Sequence, residues 1–439
     1  MLAEVLLNGG RGALLLRSGV ISIGIKIVFT LLSFFISLTL ARVLGPEGFG
    51  VYSFCLAILM LVSIPVQSGY PMMLVREVAK ARGLKNFSLI ASIQKWAFSL
   101  ILVTSILIVI VVFLLEWKLS IVLGSIRSSV FYIGVVLIPC VGLILAQGAV
   151  MRGLGWVNVG QFFDAILRPL LFLIVLLCSY SIGLSVQSVM ELKVLVTVFV
   201  LAASTTVALY VQRGFIFRRV SLSNESDGFQ WGQLVMPLMA VSGFQLVNGY
   251  VDIVVLGMIR TDEEVGVYRV VVQMGNLVIF ALVAVNQILH PLFARQYDAG
   301  EMVKLQKMVT TSARLILLLS VPIAVIFAVW SEQLLSFFFG VEYVAGGLPL
   351  CIVAIGQLTN AAFGSVAALL NMTGHEKDTM RGMFIAFVVN VILNLVLVPE
   401  YGMVGAAIAT AFSILCWNAV LRHYVKKRLG IESSSWRKA

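Results

Sequence analysis

Twelve apolar segments, each long enough to cross a lipid bilayer, run through this sequence of 439 residues. A helix needs about 20 apolar residues to cross the hydrocarbon core of a bilayer. Hydrophobic residues make up 60% of the chain and charged residues 12%, whereas soluble proteins are only about 45–50% apolar. The sequence therefore predicts an all-α integral membrane protein with twelve transmembrane helices, at about 18–41, 48–70, 87–115, 129–151, 159–181, 190–212, 231–258, 265–292, 311–330, 346–371, 379–398 and 403–424.

Basic residues are unevenly distributed among the loops that join these segments. If successive segments alternate in direction, most of the 31 Lys and Arg residues fall on the side that carries both termini. Lys and Arg concentrate in the cytoplasmic loops of membrane proteins. The distribution therefore predicts that both termini are cytoplasmic. A net charge of +11 would suggest nucleic acid in a soluble chain, but here it bears first on topology, and no nucleic-acid partner is expected.

A glycine-rich motif occurs twice, about half a chain apart. Residues 41–54 read ARVLGPEGFGVYSF, where three glycines and Pro46 favour a tight turn between two helices. Residues 254–270 read VVLGMIRTDEEVGVYRV and repeat the Leu-Gly and Gly-Val-Tyr elements of the first copy. Each copy follows the first apolar helix of a series, so the repeat predicts two six-helix lobes related by duplication, at 1–215 and 216–439.

Three stretches resemble the polysaccharide flippases of bacteria, the O-antigen and exopolysaccharide branch of the multidrug, oligosaccharidyl-lipid and polysaccharide exporter superfamily. They are the turn at 41–54, the run SGYPMMLVREVAKARG at 68–83, and the run NVILNLVLVPEYGMVGAAIAT at 390–410. The resemblance covers nearly the whole chain. It implies a fold in which two six-helix lobes form a V around a central cavity.

The resemblance also implies a function in surface polysaccharide assembly, such as that of O-antigen and lipopolysaccharide. The substrate would be an undecaprenyl-diphosphate-linked oligosaccharide, translocated across the bacterial inner membrane by alternating access. Membrane lipids, a polysaccharide polymerase and a chain-length regulator would be its partners. No catalytic residue is expected. No cofactor is expected either, apart from Na⁺ or H⁺ as a coupling ion.

Lys26, Lys95 and Arg168 are basic residues deep within predicted spans. Each lies eight or nine residues into an outward-running helix, about 12–13 Å deep at 1.5 Å per residue. A basic side chain near the bilayer centre costs about 2.5–3.5 kcal/mol on insertion scales. If their helices face the lobe interior, the three charges form a cationic belt that binds a diphosphate. The alternatives are that the lysines extend to the headgroups and that Arg168 pairs with Asp164, one turn earlier. That pair could equally be a gate at the substrate site that loosens when substrate arrives.

Arg42 and Arg260 follow the first helix of each lobe, on the predicted outer side. They are candidates for binding the diphosphate as it leaves. The alternative is that they bond the carbonyl groups at helix C-termini, which favour cations.

The second lobe carries an acidic and polar group of residues instead. Asp252, Asn390, Asn394 and Thr410 lie at similar depths in the seventh, eleventh and twelfth spans, and the two asparagines are one turn apart. Their oxygens are of the kind that a hard cation such as Na⁺ prefers. The set resembles the cation site of related peptidoglycan-precursor flippases, with asparagines where those have a second carboxylate. The alternative is an interhelical hydrogen-bond cluster around a protonated Asp252.

Three other classes of protein remain as alternatives. An exporter of cationic drugs from the same superfamily would line its cavity with carboxylates, whereas the deep charges here are mainly basic. A peptidoglycan-precursor flippase usually has two more helices than are counted here. A membrane glycosyltransferase or polymerase would need an active site, and the sequence has neither a DxD triplet nor a large outer loop to hold one.

Overall fold

The computed structural model describes residues 10–180, 183–216 and 225–433, and no strand occurs among them. Long apolar sequences with few interior helix breakers form most of the helices. The α-helices are α1 (Gly10–Val62), α2 (Ile64–Gln67), α3 (Tyr70–Gly83), α4 (Phe87–Leu114), α5 (Glu116–Leu123), α6 (Ser125–Val135), α7 (Leu137–Gly153), α8 (Val157–Phe162), α9 (Arg168–Cys178), α10 (Val186–Ile216), α11 (Glu225–Ile259), α12 (Asp262–Val278), α13 (Phe280–Asp298), α14 (Met302–Val329), α15 (Ser331–Phe338), α16 (Gly347–Phe363), α17 (Val366–Met372) and α18 (Glu376–Leu429). A π-helix at Phe163–Leu167 and a 3₁₀-helix at Val341–Gly346 complete the described elements.

In the described part of the chain, nine helices are long and apolar enough to cross a membrane, or ten when the bent pair α12 and α13 counts as one span. Helices α1 and α18 have 53 and 54 residues, about twice what a bilayer requires. Each is interrupted by a glycine in a non-helical conformation, Gly45 and Gly402. Counting each as two spans gives twelve, so the predicted all-α fold with twelve transmembrane helices is confirmed.

The break at Gly45 is shorter than the sequence predicts. Gly45 has φ 66° and ψ 177°, a conformation that only glycine adopts readily, and the helix resumes at Pro46. Proline suits the first position of a helix because its missing N–H would have no partner there. The two later glycines of the motif, Gly48 and Gly50, lie inside the resumed helix.

Among the described residues, contacts divide the chain into two compact units. The first takes Met1–Thr39 with Cys55–Leu246, and the second takes Leu40–Phe54 with Val247–Ala439. In the first unit, α7 is central and packs against α3, α4, α8 and α10. In the second, α16 packs against α12, α14 and α18. The lobe boundaries at 1–215 and 216–439 stay a prediction.

Glycines of the repeated motif allow its two copies to pack against each other within the second unit. A Cβ atom on Gly50 would meet the backbone carbonyl of Asp262, and one on Gly266 would meet the carbonyl of Pro46. Gly50 and Gly266 occupy the same position in the repeated Gly-Val-Tyr tripeptide. The repeat therefore serves a close approach of two helices as well as a turn.

The chain after α18 folds back onto the second unit. Gly430 ends the helix in the left-handed conformation, with φ 66°, and Ile431 is only 2% exposed. The side-chain amide of Gln306 binds both backbone groups of Glu432, accepting from its N–H at 2.9 Å and donating to its carbonyl at 2.8 Å. This segment is thus fixed to α14.

The Glu432 carboxylate accepts hydrogen bonds from Lys426 at 2.9 Å and Arg422 at 3.0 Å. The bond from Lys426, assisted by that from Arg422, lowers the pKa of Glu432 against the opposing effect of burial. We expect Glu432→Gln to reduce the free energy of unfolding at pH 7 by about 1 kcal/mol, the scale of a partly exposed ion pair. A lowered pKa stabilises the fold above the ordinary value for Glu, about 4.3, and this contribution disappears as the pH falls below it.

Thermal unfolding of the purified protein from pH 7 down to pH 3.5 tests this expectation. The difference between wild type and Glu432→Gln should shrink below about pH 4.3, and Glu263→Gln, at an exposed position, should show no such trend. A difference that stays constant over this range would contradict the assigned role of the charge.

Candidate functional site

Asp252 is the centre of a buried polar cluster in the second unit. Its Oδ1 accepts a hydrogen bond from Asn394 Nδ2 at 2.8 Å, and its Oδ2 accepts one from Thr410 Oγ1 at 2.5 Å. The hydroxyl of Tyr268 lies 3.3 Å from the same Oδ2 and 2.9 Å from Thr410 Oγ1. Asp252 is 6% exposed and Asn394 is fully buried.

Asn390 extends the cluster by one turn of α18. Asn394 Nδ2 lies 3.1 Å from Asn390 Oδ1, and Asn390 Nδ2 donates to Ser413 at 3.2 Å. The Oδ1 atom of Asn394 is buried and has no hydrogen-bond partner among the described residues. An acceptor without a donor at this depth is a position where a cation or a donated proton lowers the free energy.

Three helices position these side chains. Asp252 lies on α11 and Tyr268 on α12, while α18 supplies Asn394 before its break at Gly402 and Thr410 after it. Because α18 is interrupted at Gly402, its two parts can both present polar groups to the same carboxylate. The structure thus brings together all four residues that the sequence indicates for this site.

Tyr268 and Ser413 were not predicted as members of the cluster. Tyr268 belongs to the repeated Gly-Val-Tyr tripeptide, so its recurrence was a signal in the sequence. Ser413, one turn from Thr410 on α18, carries no such signal. Both are neutral, and within the described residues no basic side chain forms an ion pair with Asp252.

A carboxylate buried without a counter-charge is costly. The cluster can therefore exist in two ways, with Asp252 protonated or with a cation bound among its oxygens. The donor set of one carboxylate, an unpaired amide oxygen and hydroxyl groups fits a hard monovalent cation.

The predicted basic residues of the first unit differ in their partners. Arg168 Nη2 lies 2.6 Å from Asp164 Oδ1, so this pair forms as the alternative reading expects. Lys26 lies over the ring of Phe29, 5.9 Å from its centroid. Lys26 and Lys95 are both exposed side chains, and neither forms an ion pair with any described residue. The structure therefore joins Arg168 to Asp164 but does not join the lysines to them.

Arg168 and Asp164 stand at the two ends of a π-helical turn. The N–H of Arg168 bonds to the carbonyl of Phe163, five residues earlier. Pro169, which follows, has no N–H to donate. A π-turn of this kind inserts one residue into the helix and often marks a functional position.

Arg152 directly follows the fourth predicted span, 129–151, so the sequence predicts a loop position for it, whereas the structure places it near this pair. It lies at the end of α7, where its stem covers Gly160, one turn before Asp164. The charge of Asp164 acts on the Arg152 guanidinium. No feature of the sequence marks Arg152, because its proximity depends on the close packing of Gly148 against Gly160.

Arg42 and Arg260 both bind backbone carbonyl groups. Arg42 donates from Nε to the carbonyl of Phe338 at 2.7 Å and from Nη2 to that of Phe337 at 2.9 Å, at the end of α15. Arg260 donates to the carbonyl of Glu400 at 3.2 Å, next to the break at Gly402. These are the contacts of the structural alternative, and binding of substrate by either residue stays a prediction.

An all-helical fold with multiple apolar spans, a buried carboxylate cluster and deep basic side chains is typical of a membrane transporter. Comparison with known proteins agrees with this class. The chain belongs to the polysaccharide biosynthesis protein family, which it matches over residues 15–297. It also matches the MatE family over residues 237–396.

Individual relatives are similar over most of their length. The probable low-salt glycan biosynthesis flippase Agl15 of Haloferax volcanii is 23% identical over 397 residues, covering 89% of this chain and 79% of that protein. The structure of the lipid II flippase MurJ in an inward closed conformation gives a TM-score of 0.75 at 14% identity, covering 92% of this chain and 87% of that one. An inward-facing multidrug resistance transporter of the MATE family gives a TM-score of 0.73 at 14% identity, covering 92% and 95%. The two structures show the shared fold, and the relatives are transporters, which confirms the expectation that this protein is not an enzyme.

Replacing Arg42 tests whether its role is structural. Arg42→Ala leaves two carbonyl groups without their donors, and hydrogen bonds from a charged group contribute about 1.5–3 kcal/mol. We expect a lower midpoint of thermal unfolding for Arg42→Ala and a smaller effect for Arg76→Ala, where the side chain is 61% exposed. Unchanged stability together with lost transport would instead indicate a role in binding substrate.

Proposed function

We propose that this protein flips an undecaprenyl-diphosphate-linked oligosaccharide from the cytoplasmic to the outer leaflet of the membrane by alternating access. The glycan serves the assembly of O-antigen, lipopolysaccharide or another surface polysaccharide. During the step, the charged head moves across the membrane and the polyprenyl tail stays in lipid.

Membership of the polysaccharide biosynthesis protein family supports this class of substrate. Similarity to Agl15, a probable glycan biosynthesis flippase, and to MurJ, a lipid II flippase, is consistent with it. The fold by itself does not decide, since a multidrug exporter is about as similar in structure. The charged residues of the protein therefore have to distinguish a lipid-linked glycan from a drug as the substrate.

The observation that carries the proposal is the pair of basic side chains, Lys26 and Lys95, that lie deep in apolar helices without an acidic partner among the described residues. Basic residues within membrane spans are rare and often line the pathway of a substrate or an ion. A diphosphate supplies about two negative charges and several acceptor oxygens. Arg168 adds a third cation, which Asp164 holds at 2.6 Å.

The proposal places the protein in a bacterial inner membrane with both termini in the cytoplasm. The excess of basic residues on one side of the predicted spans supports this orientation. A polysaccharide polymerase and a chain-length regulator would use the flipped product. The relative Agl15 comes from an archaeon and does not indicate a bacterial host. The undecaprenyl carrier and the bacterial host are therefore proposed on the resemblance in sequence alone.

Transport of an anion outward is assisted by an inside-negative potential at about 2.3 kcal/mol per charge per 100 mV. The Asp252 cluster is the proposed site of a coupling ion, either Na⁺ or H⁺. Asp252, Asn394 and Thr410 would bind Na⁺ directly, with Asn390 holding the Asn394 amide. Protonation of Asp252 would satisfy the same carboxylate without Na⁺.

Complementation of a bacterium that lacks its own matched flippase tests the substrate class. Wild type should restore surface polysaccharide, while Lys26→Ala and Lys95→Ala should lose most of it because the diphosphate loses a charge partner. Lys118→Ala, at an exposed position, is the matched control. Equal polysaccharide from all variants at equal membrane abundance would refute the role of the two lysines, and drug efflux without complementation would favour the exporter.

Thermal unfolding in Na⁺ or K⁺ at constant ionic strength tests the coupling site. A ligand at ten times its Kd stabilises a protein by about 1.4 kcal/mol, so Na⁺ should raise the unfolding midpoint of wild type but not of Asp252→Asn. Asp298→Asn, at an exposed carboxylate, should behave as wild type. If Na⁺ stabilises Asp252→Asn equally, the cluster is not a sodium site, and stabilisation by acid that requires Asp252 would identify H⁺ instead.

A further inference from the structure

Asp164 stands between two arginines of the first unit. On one side, Arg168 Nη2 lies 2.6 Å from its Oδ1. On the other, Arg152 lies over Gly160, one helical turn before Asp164, and its guanidinium interacts with the charge of the carboxylate. One acid thus serves two bases, and the group carries a net positive charge.

Neither arginine satisfies this carboxylate completely. Asp164 Oδ1 is buried, and despite its short distance to Arg168 no donor meets it at a hydrogen-bonding angle. The Nε atom of Arg152 is likewise buried without a hydrogen-bond partner among the described residues. A well-formed ion pair would align its donors and acceptors. The two unsatisfied atoms belong to Asp164 and Arg152, so each of these side chains has an atom available for another partner.

The local backbone adds a reason for this poor alignment. Asp164 lies in the π-helical turn Phe163–Leu167, whose wider winding moves it relative to Arg168. Arg152, by contrast, is held by the close packing of α7 on α8 at Gly148 and Gly160. One arginine thus lies on a neighbouring, closely packed helix, while the other follows the same irregular turn as the acid.

We propose that Asp164 is an internal counter-ion that exchanges partners when substrate binds. Without substrate it neutralises Arg168; when a diphosphate occupies Arg168, Asp164 pairs with Arg152 instead. The exchange keeps the carboxylate paired in both states, so binding leaves no unpaired carboxylate within the apolar helices. This inference rests on the proposed function, because it names how one part of that site admits its anion.

The exchange makes the site selective. An incoming anion must compete with a carboxylate already held at 2.6 Å from Arg168. A diphosphate has enough charge and acceptor oxygens to do so, whereas a monophosphate or a carboxylate resembles the group that it would replace. Asp164 therefore discriminates against singly charged anions, and Arg152 sets how easily Asp164 gives way.

A double-mutant cycle with farnesyl diphosphate tests the exchange, with full-length protein in nanodiscs and Kd measured by direct titration. Asp164→Asn removes the competitor and should bind the ligand about tenfold more tightly. Arg152→Gln leaves Asp164 on Arg168 and should bind it about tenfold more weakly. Because Arg152 acts only through Asp164, the double variant should bind like Asp164→Asn alone.

Several controls separate the possible outcomes. Arg82→Gln, which removes a guanidinium that lies against Gly155, should leave Kd unchanged. If Arg152→Gln weakens binding equally in both backgrounds, Arg152 contacts ligand or only supports the fold, and the exchange is refuted. If Arg152→Gln does not fold, the Asp164→Asn variant alone tests the exchange. The proposal is then refuted if the ratio of Kd for farnesyl monophosphate to Kd for farnesyl diphosphate is the same in Asp164→Asn as in wild type.

The same titrations distinguish failure of the proposed function. Wild type that binds farnesyl diphosphate no better than farnesol would refute a diphosphate substrate, and the exchange with it. Wild type that prefers the diphosphate, combined with additive effects of the two substitutions, would refute the exchange alone.

Discussion

Backbone N–H and C=O groups inside a bilayer have no water to bond, so each must find a partner within the protein. Most of this chain meets that requirement by being helical, and its irregular points are where other side chains take part. At Gly402 the N–H of Met403 donates to Glu264, and Arg260 donates to the carbonyl of Glu400. At the end of α15, Arg42 binds two carbonyl groups. Charged residues on the predicted outer side thus provide hydrogen-bond partners for backbone groups at the helix ends. The break at Gly402 also allows α18 to contribute Asn394 and Thr410 to the Asp252 cluster.

The two units hold charges of opposite kinds. The first has basic side chains in its apolar helices, with Asp164 as a partner of Arg168. The second has a buried carboxylate whose partners are all neutral. Because electrostatic interactions are strong in a medium of low dielectric constant, each arrangement favours a ligand of the opposite sign. An anion for the first unit and a cation for the second are the ligands that each arrangement favours, which agrees with the proposed coupled transport of a diphosphate-linked lipid.

Much of the fold and of the Asp252 cluster could be predicted from the sequence, because depth along a transmembrane helix increases by about 1.5 Å with each residue. Apolar length predicts the spans, and counting residues from the span ends places Asp252, Asn394 and Thr410 at a common depth. Depth alone does not specify which face a residue occupies, so the position of Lys26 and Lys95 relative to Arg168 could not be derived. Arg152 was missed because a residue at the end of an apolar run reads as part of a loop, and only the packing of Gly148 on Gly160 brings it near Asp164. The π-turn depends on a shift of one hydrogen bond, which leaves no pattern in the residue types apart from Pro169.

The membership of Leu40–Phe54 in the second unit has a consequence for biogenesis. This segment leaves the ribosome early, whereas Asp262 and Gly266, against which its glycine packs, are synthesised more than two hundred residues later. At a translation rate of 5–20 residues per second, that interval is roughly 10–40 s. The first helical hairpin must therefore enter the membrane with one packing face uncovered, and the second unit closes only after its own first helices have been inserted. A half of this chain expressed alone would lack part of a packing surface that only the other half can provide.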